Sequence, residues 1–89
     1  MIKGKTASGF NFKLYDNALD NMELVELMVD IQNTGNPLAL GSALEMLLGE
    51  KQKKALYNHL RTEDGRVPVS AVSAAFVDIV KAAKNKGKN

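Results

Sequence analysis

Hydrophobic and polar residues alternate at the start of the chain. Phe10, Phe12 and Leu14 are separated by polar neighbours, and this period of two predicts a strand. Residues 2–6 precede it as a second short strand, and the small residues at 7–9 predict a turn between the two. A two-stranded ribbon needs helices beneath its apolar face to persist. We therefore expect an N-terminal β-hairpin that packs on the elements after it.

The rest of the chain shows the three- and four-residue spacing of helices, with capping residues at the boundaries. The predicted helices run from Asp16 or Asp20 to Asn33, from Asn36-Pro37 to Gly49, from Glu50 to about Arg61, and from Ser70, as N-cap, to about Lys84. The pattern predicts a mostly α (α+β) fold, in which an N-terminal β-hairpin is followed by about four helices packed around one core.

An 89-residue chain has room for one core. Chains of this size bury about 60% of their unfolded surface, so binding to a partner or self-association would add useful stability. We expect a single helical domain with the hairpin over residues 1–84 and a flexible basic tail over 85–89. The predicted core consists of Phe10, Phe12, Leu24, Met28, Leu44, Leu48, Leu56, Leu60, Val72, Phe76, Ile79 and Val80.

No residue pattern points to bond-making chemistry. The chain has no cysteine, which excludes disulfides and thiolate chemistry. Its one histidine, His59, has no nucleophile nearby in sequence and lies four residues before Glu63, a spacing typical of a helix-surface pair. The glycines form no phosphate-binding loop. We predict no catalytic, metal or cofactor site, hence no enzyme, and a cytoplasmic protein because no apolar run is long enough to span a membrane.

The net charge is +2 and the pI is near 9.0, but the charges are unevenly distributed along the chain. Four of the 12 basic residues lie in 81–89, which leaves 8 basic and 10 acidic side chains in the other 80 residues. Between Lys13 and Lys51 there are seven acidic residues and no Lys or Arg. Such a segment disfavours nucleic-acid binding by the folded part of the chain.

The first predicted helix carries most of these acids on one arc. A helical wheel places Leu19 and Leu27 within that arc, whereas Met22, Val25 and Val29 belong to a separate, wide apolar arc. Apolar side chains rimmed by carboxylates can receive a basic amphipathic helix. The alternative is a solvated acidic face with scattered exposed leucines. The predicted partner-binding residues are Leu19, Glu23, Glu26, Leu27 and Asp30.

Five segments together resemble the small tail assembly chaperones of long-tailed, siphovirus-type bacteriophages and prophages. They are residues 10–14 (FNFKL), 19–27 (LDNMELVEL), 36–40 (NPLAL), 47–57 (LLGEKQKKALY) and 64–68 (DGRVP). The resemblance covers most of the chain and contains no catalytic motif. It implies a non-enzymatic helper that binds the tape measure protein and keeps it soluble while tail tube proteins, a second partner, polymerise around it. It also implies that a longer, frameshifted product can exist.

Two other functions fit the same sequence. The lysine-rich end either complements the helix dipole or contacts nucleic acid weakly, so one alternative is a small nucleic-acid-associated regulator that uses the basic C-terminal tail. Another is a generic protein-binding adaptor. Steep loss of DNA binding with salt would distinguish the first alternative from a protein-binding function.

Overall fold

The computed structural model describes residues 1–85 as an antiparallel hairpin followed by three helices. The elements are β1 (Ile2–Lys5), β2 (Asn11–Leu14), α1 (Met22–Thr34), α2 (Pro37–Leu60) and α3 (Val69–Asn85). The predicted mostly helical fold with an N-terminal hairpin is confirmed. Of the predicted basic tail, Asn85 closes α3, and residues 86–89 lie outside the described part of the chain.

The hairpin has a register that places its apolar side chains on one face. Ile2 is opposite Leu14, and Gly4 is opposite Phe12. The Phe12 ring lies across Gly4 so closely that a Cβ atom at Gly4 would be 2.5 Å from the Phe12 Cζ atom. Both Phe12 and Leu14 are buried, so the glycine creates the space that this ring needs in the core.

The turn of the hairpin is tied to two helices. The Ala7 N–H donates to the Asp78 carboxylate on α3 at 2.9 Å, and the His59 Nε2 atom on α2 lies 2.9 Å from the Ser8 carbonyl oxygen. The His59 ring also packs at 51° against Phe10, with 5.7 Å between ring centroids. The predicted pairing of His59 with Glu63 is therefore wrong, because α2 ends at Leu60 and the imidazole turns towards the hairpin.

Helix α1 begins later than the sequence predicted. Residues 15–20 form turns, in which the Ala18 N–H donates to the Tyr15 carbonyl oxygen. The N-cap is Asn21, whose side chain accepts from the backbone N–H groups of Glu23 and Leu24. Asp16 and Asp20 were the wrong choices because the helix axis starts only after these turns, where the Asn21 amide oxygen reaches the free N–H groups.

Helix α2 spans the predicted boundary between two helices, so the prediction of about four helices is wrong by one. Its start is as predicted, with Asn36 as N-cap and Pro37 in the first turn. Gly49 interrupts it with φ 81° and ψ 163°, torsions that an L-residue with a side chain rarely adopts. The predicted boundary at Gly49 is therefore present as a non-helical kink between two helical segments that together form α2.

Gln52, one turn after the kink, joins α2 to β2. Its side-chain oxygen accepts from the Lys13 N–H at 2.8 Å, and its side-chain nitrogen donates to the Lys13 carbonyl oxygen at 2.9 Å. The same nitrogen lies 2.8 Å from the Leu48 carbonyl oxygen of the preceding turn. One amide therefore satisfies both backbone groups on the open edge of β2.

A tight loop over residues 61–68 connects α2 to α3. The Thr62 hydroxyl donates to the Asp64 carboxylate, and this bond is the main reason why the pKa of Asp64 lies below its usual range, with Arg66 adding to it. Any stability from this carboxylate is lost as the pH falls through that lowered pKa. Ser70 is not the N-cap, because α3 begins at Val69 and the Pro68 carbonyl accepts from Val72.

The core lies between the hairpin and the three helices. Of the predicted core residues, Phe10, Met28 and Leu60 are half-buried at its edge, whereas the others are buried. Leu24, Leu44, Leu56 and Ile79 have no exposed surface. Leu14, which the alternation of the strand places on the same face as Phe12, is also buried, and further buried residues outside the predicted core are Ile2, Ala39, Leu40, Ala43, Leu47 and Ala75.

Replacing Gly4 by valine should destabilise the protein by about 1–3 kcal/mol, because the new side chain overlaps the buried Phe12 ring. The free energy of unfolding in urea measures this. Lys5→Val is the matched control, since Lys5 is exposed on the same strand and its change should stay within about 0.5 kcal/mol. Equal stability of Gly4→Val and Lys5→Val would contradict the role assigned to Gly4.

Replacing Gln52 by leucine should cost about 1–3 kcal/mol, because two backbone groups of Lys13 lose their partner. Amide hydrogen exchange at Lys13 should accelerate in this variant, and urea unfolding gives the free energy. Lys51→Leu changes an exposed neighbour and should leave Lys13 exchange as it is. Unchanged Lys13 protection in Gln52→Leu would show that the amide does not hold the strand.

Candidate partner-binding groove

Helix α1 packs on α2 through an inner face of Leu24 with the half-buried Leu27, Met28 and Ile31. Its outer face is also apolar: Met22 is 71%, Val25 43% and Val29 49% exposed. At 100° per residue these three side chains fall within an arc of about 60°. None of the three belongs to the predicted core, and they stay exposed because a helix lying on one neighbour buries only part of a wide apolar arc.

The two leucines predicted to lie exposed among the carboxylates are half-buried. Leu19, in the turns before α1, and Leu27, on α1, both pack against the core. Their predicted full exposure is wrong, because α1 is rotated so that its Leu27 side approaches α2. Leu19 takes no part in the groove described below, whereas Leu27 contributes to its floor.

The three predicted acidic residues separate into two groups. Glu23 and Glu26 are exposed on the side of α1 that borders α2. Asp30 is half-buried near the end of α1, where the Thr34 hydroxyl lies 2.8 Å from its carbonyl oxygen and 3.3 Å from its carboxylate. The structure thus brings together Glu23, Glu26 and Leu27, and it leaves Leu19 and Asp30 outside this cluster.

A shallow groove of about 360 Å³ runs between α1 and α2. We call it the acidic groove, and its lining residues are Glu23, Glu26, Leu27, Ser42 and Met46. Leu27 and the 43% exposed Met46 supply the apolar surface, and the two glutamates supply the rim. Within residues 1–85, neither glutamate belongs to an ion pair, whereas the neighbouring Glu45 is paired with Lys53 at 3.2 Å. The rim therefore keeps two uncompensated negative charges.

Sequence reasoning missed the contribution of α2. Leu38, Ser42 and Met46 follow one another at a spacing of four, which places them along one side of a helix. Leu38 is 80% exposed and Met46 43% exposed, so this side is not covered by the rest of the described chain. The spacing of Leu38, Ser42 and Met46 can be read from the sequence. Only the tertiary structure shows that Ser42 and Met46 lie near Glu23 and Glu26.

The acidic groove is suited to binding one face of a helix. An apolar floor with a carboxylate rim can accept a helix that presents apolar residues beside Lys or Arg.

Across residues 1–85, no three His, Asp or Glu side chains converge in a way that could hold a metal ion. No helix in that range has both the length and the hydropathy to cross a bilayer.

The segments that carry the phage resemblance have structural roles in this fold. Asn21 caps α1, Gly49 kinks α2 and Gln52 joins α2 to β2. Asp64 and Gly65 belong to the loop before α3, where the Gly65 N–H donates to the Thr62 carbonyl oxygen. These motifs therefore specify turns, caps and connections, whereas most of the acidic groove is formed by residues outside such roles.

Comparison of the chain with protein families, with curated proteins and with solved structures finds no match.

Replacing Val25 and Val29 together by serine should change stability by no more than about 0.5 kcal/mol per site, because both side chains already contact solvent. Leu24→Ala on the inner face should instead cost about 2–5 kcal/mol through the cavity that it leaves. Urea unfolding of the three proteins compares them directly. A loss in the serine variant as large as that in Leu24→Ala would mean that the outer face of α1 is covered.

Proposed function

We propose that this protein is a tail assembly chaperone of a long-tailed bacteriophage or prophage, acting without catalysis in the cytoplasm of the bacterial host. It binds the tape measure protein and keeps it soluble until the tail tube protein assembles around it. The proposal takes its biological setting from the resemblance of five segments and its binding surface from the acidic groove.

The observation that carries the proposal is the combination of apolar and acidic surface on α1. Met22, Val25 and Val29 are exposed on the outer face, and Glu23 and Glu26 border the groove beside it. Contiguous apolar surface next to polar residues is typical of protein-binding sites.

The physical role of the carboxylates follows from the nature of the client. A long helical protein with apolar stripes aggregates when those stripes are exposed, and covering them with a small helical protein removes that surface from water. Glu23 and Glu26 lie three residues apart on the rim, on neighbouring positions of the helix surface, and their like charges repel each other. Lys or Arg side chains of the client would relieve that repulsion at the rim, while the remaining acidic residues keep the complex soluble.

Charge reversal at the rim tests this function. Glu26→Lys should weaken capture of a co-expressed, basic helical fragment of the tape measure protein by about tenfold, about 1.4 kcal/mol, because like charges would then face each other. Glu63→Lys makes the same charge change in the exposed loop after α2 and should leave capture unchanged. Titration of the purified proteins by calorimetry gives the two dissociation constants.

Equal affinity of both variants for the fragment would contradict docking at the acidic groove. DNA binding at low salt that disappears steeply as salt is raised would instead favour the nucleic-acid-associated alternative. Circular dichroism of each variant establishes that the helices are intact before binding is compared.

A further inference from the structure

We propose that the acidic groove is one end of a longer, bipolar groove, and that its occupant is an amphipathic helical segment that is basic at one end and acidic at the other. This inference rests on the proposed function, since it specifies the chemistry of the client segment. It adds a second contact region, on the hairpin, that has the opposite charge.

Three depressions follow one another across the surface and share lining residues. Met46 lines both the acidic groove and a second depression, which also includes Tyr15 and Gly49. Lys13 and Gln52 line this second depression and a third one on the hairpin. Because each depression shares lining residues with the next, the three adjoin one another along a path from α1, past the kink of α2, to the hairpin. We call this path the bipolar groove.

The middle of the bipolar groove is apolar and adaptable. Met1 is 64%, Tyr15 71% and Met46 43% exposed along it. Methionine side chains adjust their shape to different apolar partners, and a tyrosine ring offers a large apolar face with little conformational freedom to lose. This middle section therefore suits the apolar stripe of an amphipathic helix.

The hairpin end is basic. Lys3 and Lys13 line the third depression and lie directly opposite each other on β1 and β2. Because Gln52 occupies both backbone groups of Lys13, these two residues form the non-hydrogen-bonded type of pair, in which the side chains lie closest together. Like charges at such a position destabilise a sheet.

Neither lysine belongs to an ion pair within residues 1–85. Carboxylates on a bound segment would neutralise the pair and offset the cost of placing them opposite each other. At the other end, Glu23 and Glu26 require the reverse charge on the occupant. Complementarity to both ends therefore selects a segment with separated charges.

The dimensions of the molecule agree with an occupant of moderate length. The described residues extend over 41 × 27 × 20 Å. A helix of about 20 residues is about 30 Å long, which is less than the longest extent of the described residues. A nucleic-acid strand would meet Glu23 and Glu26 at one end of the path, and a uniformly basic helix would meet Lys3 and Lys13 at the other.

Two synthetic helical peptides of about 20 residues, with the same leucine stripe, test the inference. One carries glutamates in its first half and lysines in its second half, and the other carries lysines throughout. Fluorescence anisotropy with the full-length protein measures both dissociation constants. We expect the bipolar peptide to bind the unmodified protein about tenfold more tightly than the all-lysine peptide.

The double variant Lys3→Glu with Lys13→Glu should reverse this preference, because the groove is then acidic at both ends. Lys81→Glu with Lys84→Glu is the matched control: both lysines are exposed on α3, the change in net charge is identical, and the preference for the bipolar peptide should remain. Lys3→Gln with Lys13→Gln, which cannot introduce repulsion, should abolish the preference without reversing it.

Two results would overturn the inference: equal or tighter binding of the all-lysine peptide to the unmodified protein, or the absence of binding by either peptide. A hairpin variant that keeps the preference for the bipolar peptide would also overturn the inference.

The proposed function fails separately, when capture of the tape measure fragment does not depend on Glu26. If capture of the tape measure fragment depends on Glu26 but the peptide preference does not depend on Lys3 and Lys13, the proposed function stands and the bipolar groove is contradicted.

Discussion

The packing of the N-terminal hairpin on α2 and α3 is the contact on which the rest of the structure depends. Two short strands do not persist alone in water, so the hairpin exists because Phe12 and Leu14 are buried against helices. Gln52 fixes its open edge, and Asp78 and His59 hold its turn. Since α2 also carries α1, this helix sets the relative positions of the hairpin and α1. Both ends of the bipolar groove are thus placed by one helix.

The five segments on which the resemblance rests and the acidic groove share residues only on α1, where Glu23, Glu26 and Leu27 lie within residues 19–27. These segments also contain the cap of α1, the kink of α2 and the loop before α3, and backbone geometry or hydrogen bonding requires each of them. The groove depends on exposed side chains such as Met46 and Lys3, to which the fold is largely indifferent. The five segments therefore contribute to the architecture and, through residues 19–27, to the binding surface.

The fold turns the segregation of charge along the chain into two surface regions of opposite charge. Along the chain it is a basic start, an acidic middle and a basic end. In the fold, the basic start becomes a strand pair with two lysines facing each other, and the acidic middle becomes the rim on α1. Like charges are kept together at each end, although separating them would stabilise an isolated monomer. A binding partner with complementary charges gives a physical reason for that arrangement.

The sequence by itself determined the hairpin, the helical content, the start of α2 and nine of the twelve predicted core residues as buried, because local periodicity and capping chemistry specify these features. It did not determine which side of α1 faces the core. Apolar residues cover more than half of that helix, and only contact with α2 selects Leu24 and Leu27 over Val25 and Val29. The joining of the acidic groove to the hairpin was likewise decided by tertiary structure, since Lys13 and Met46 approach each other only when α2 packs under β2.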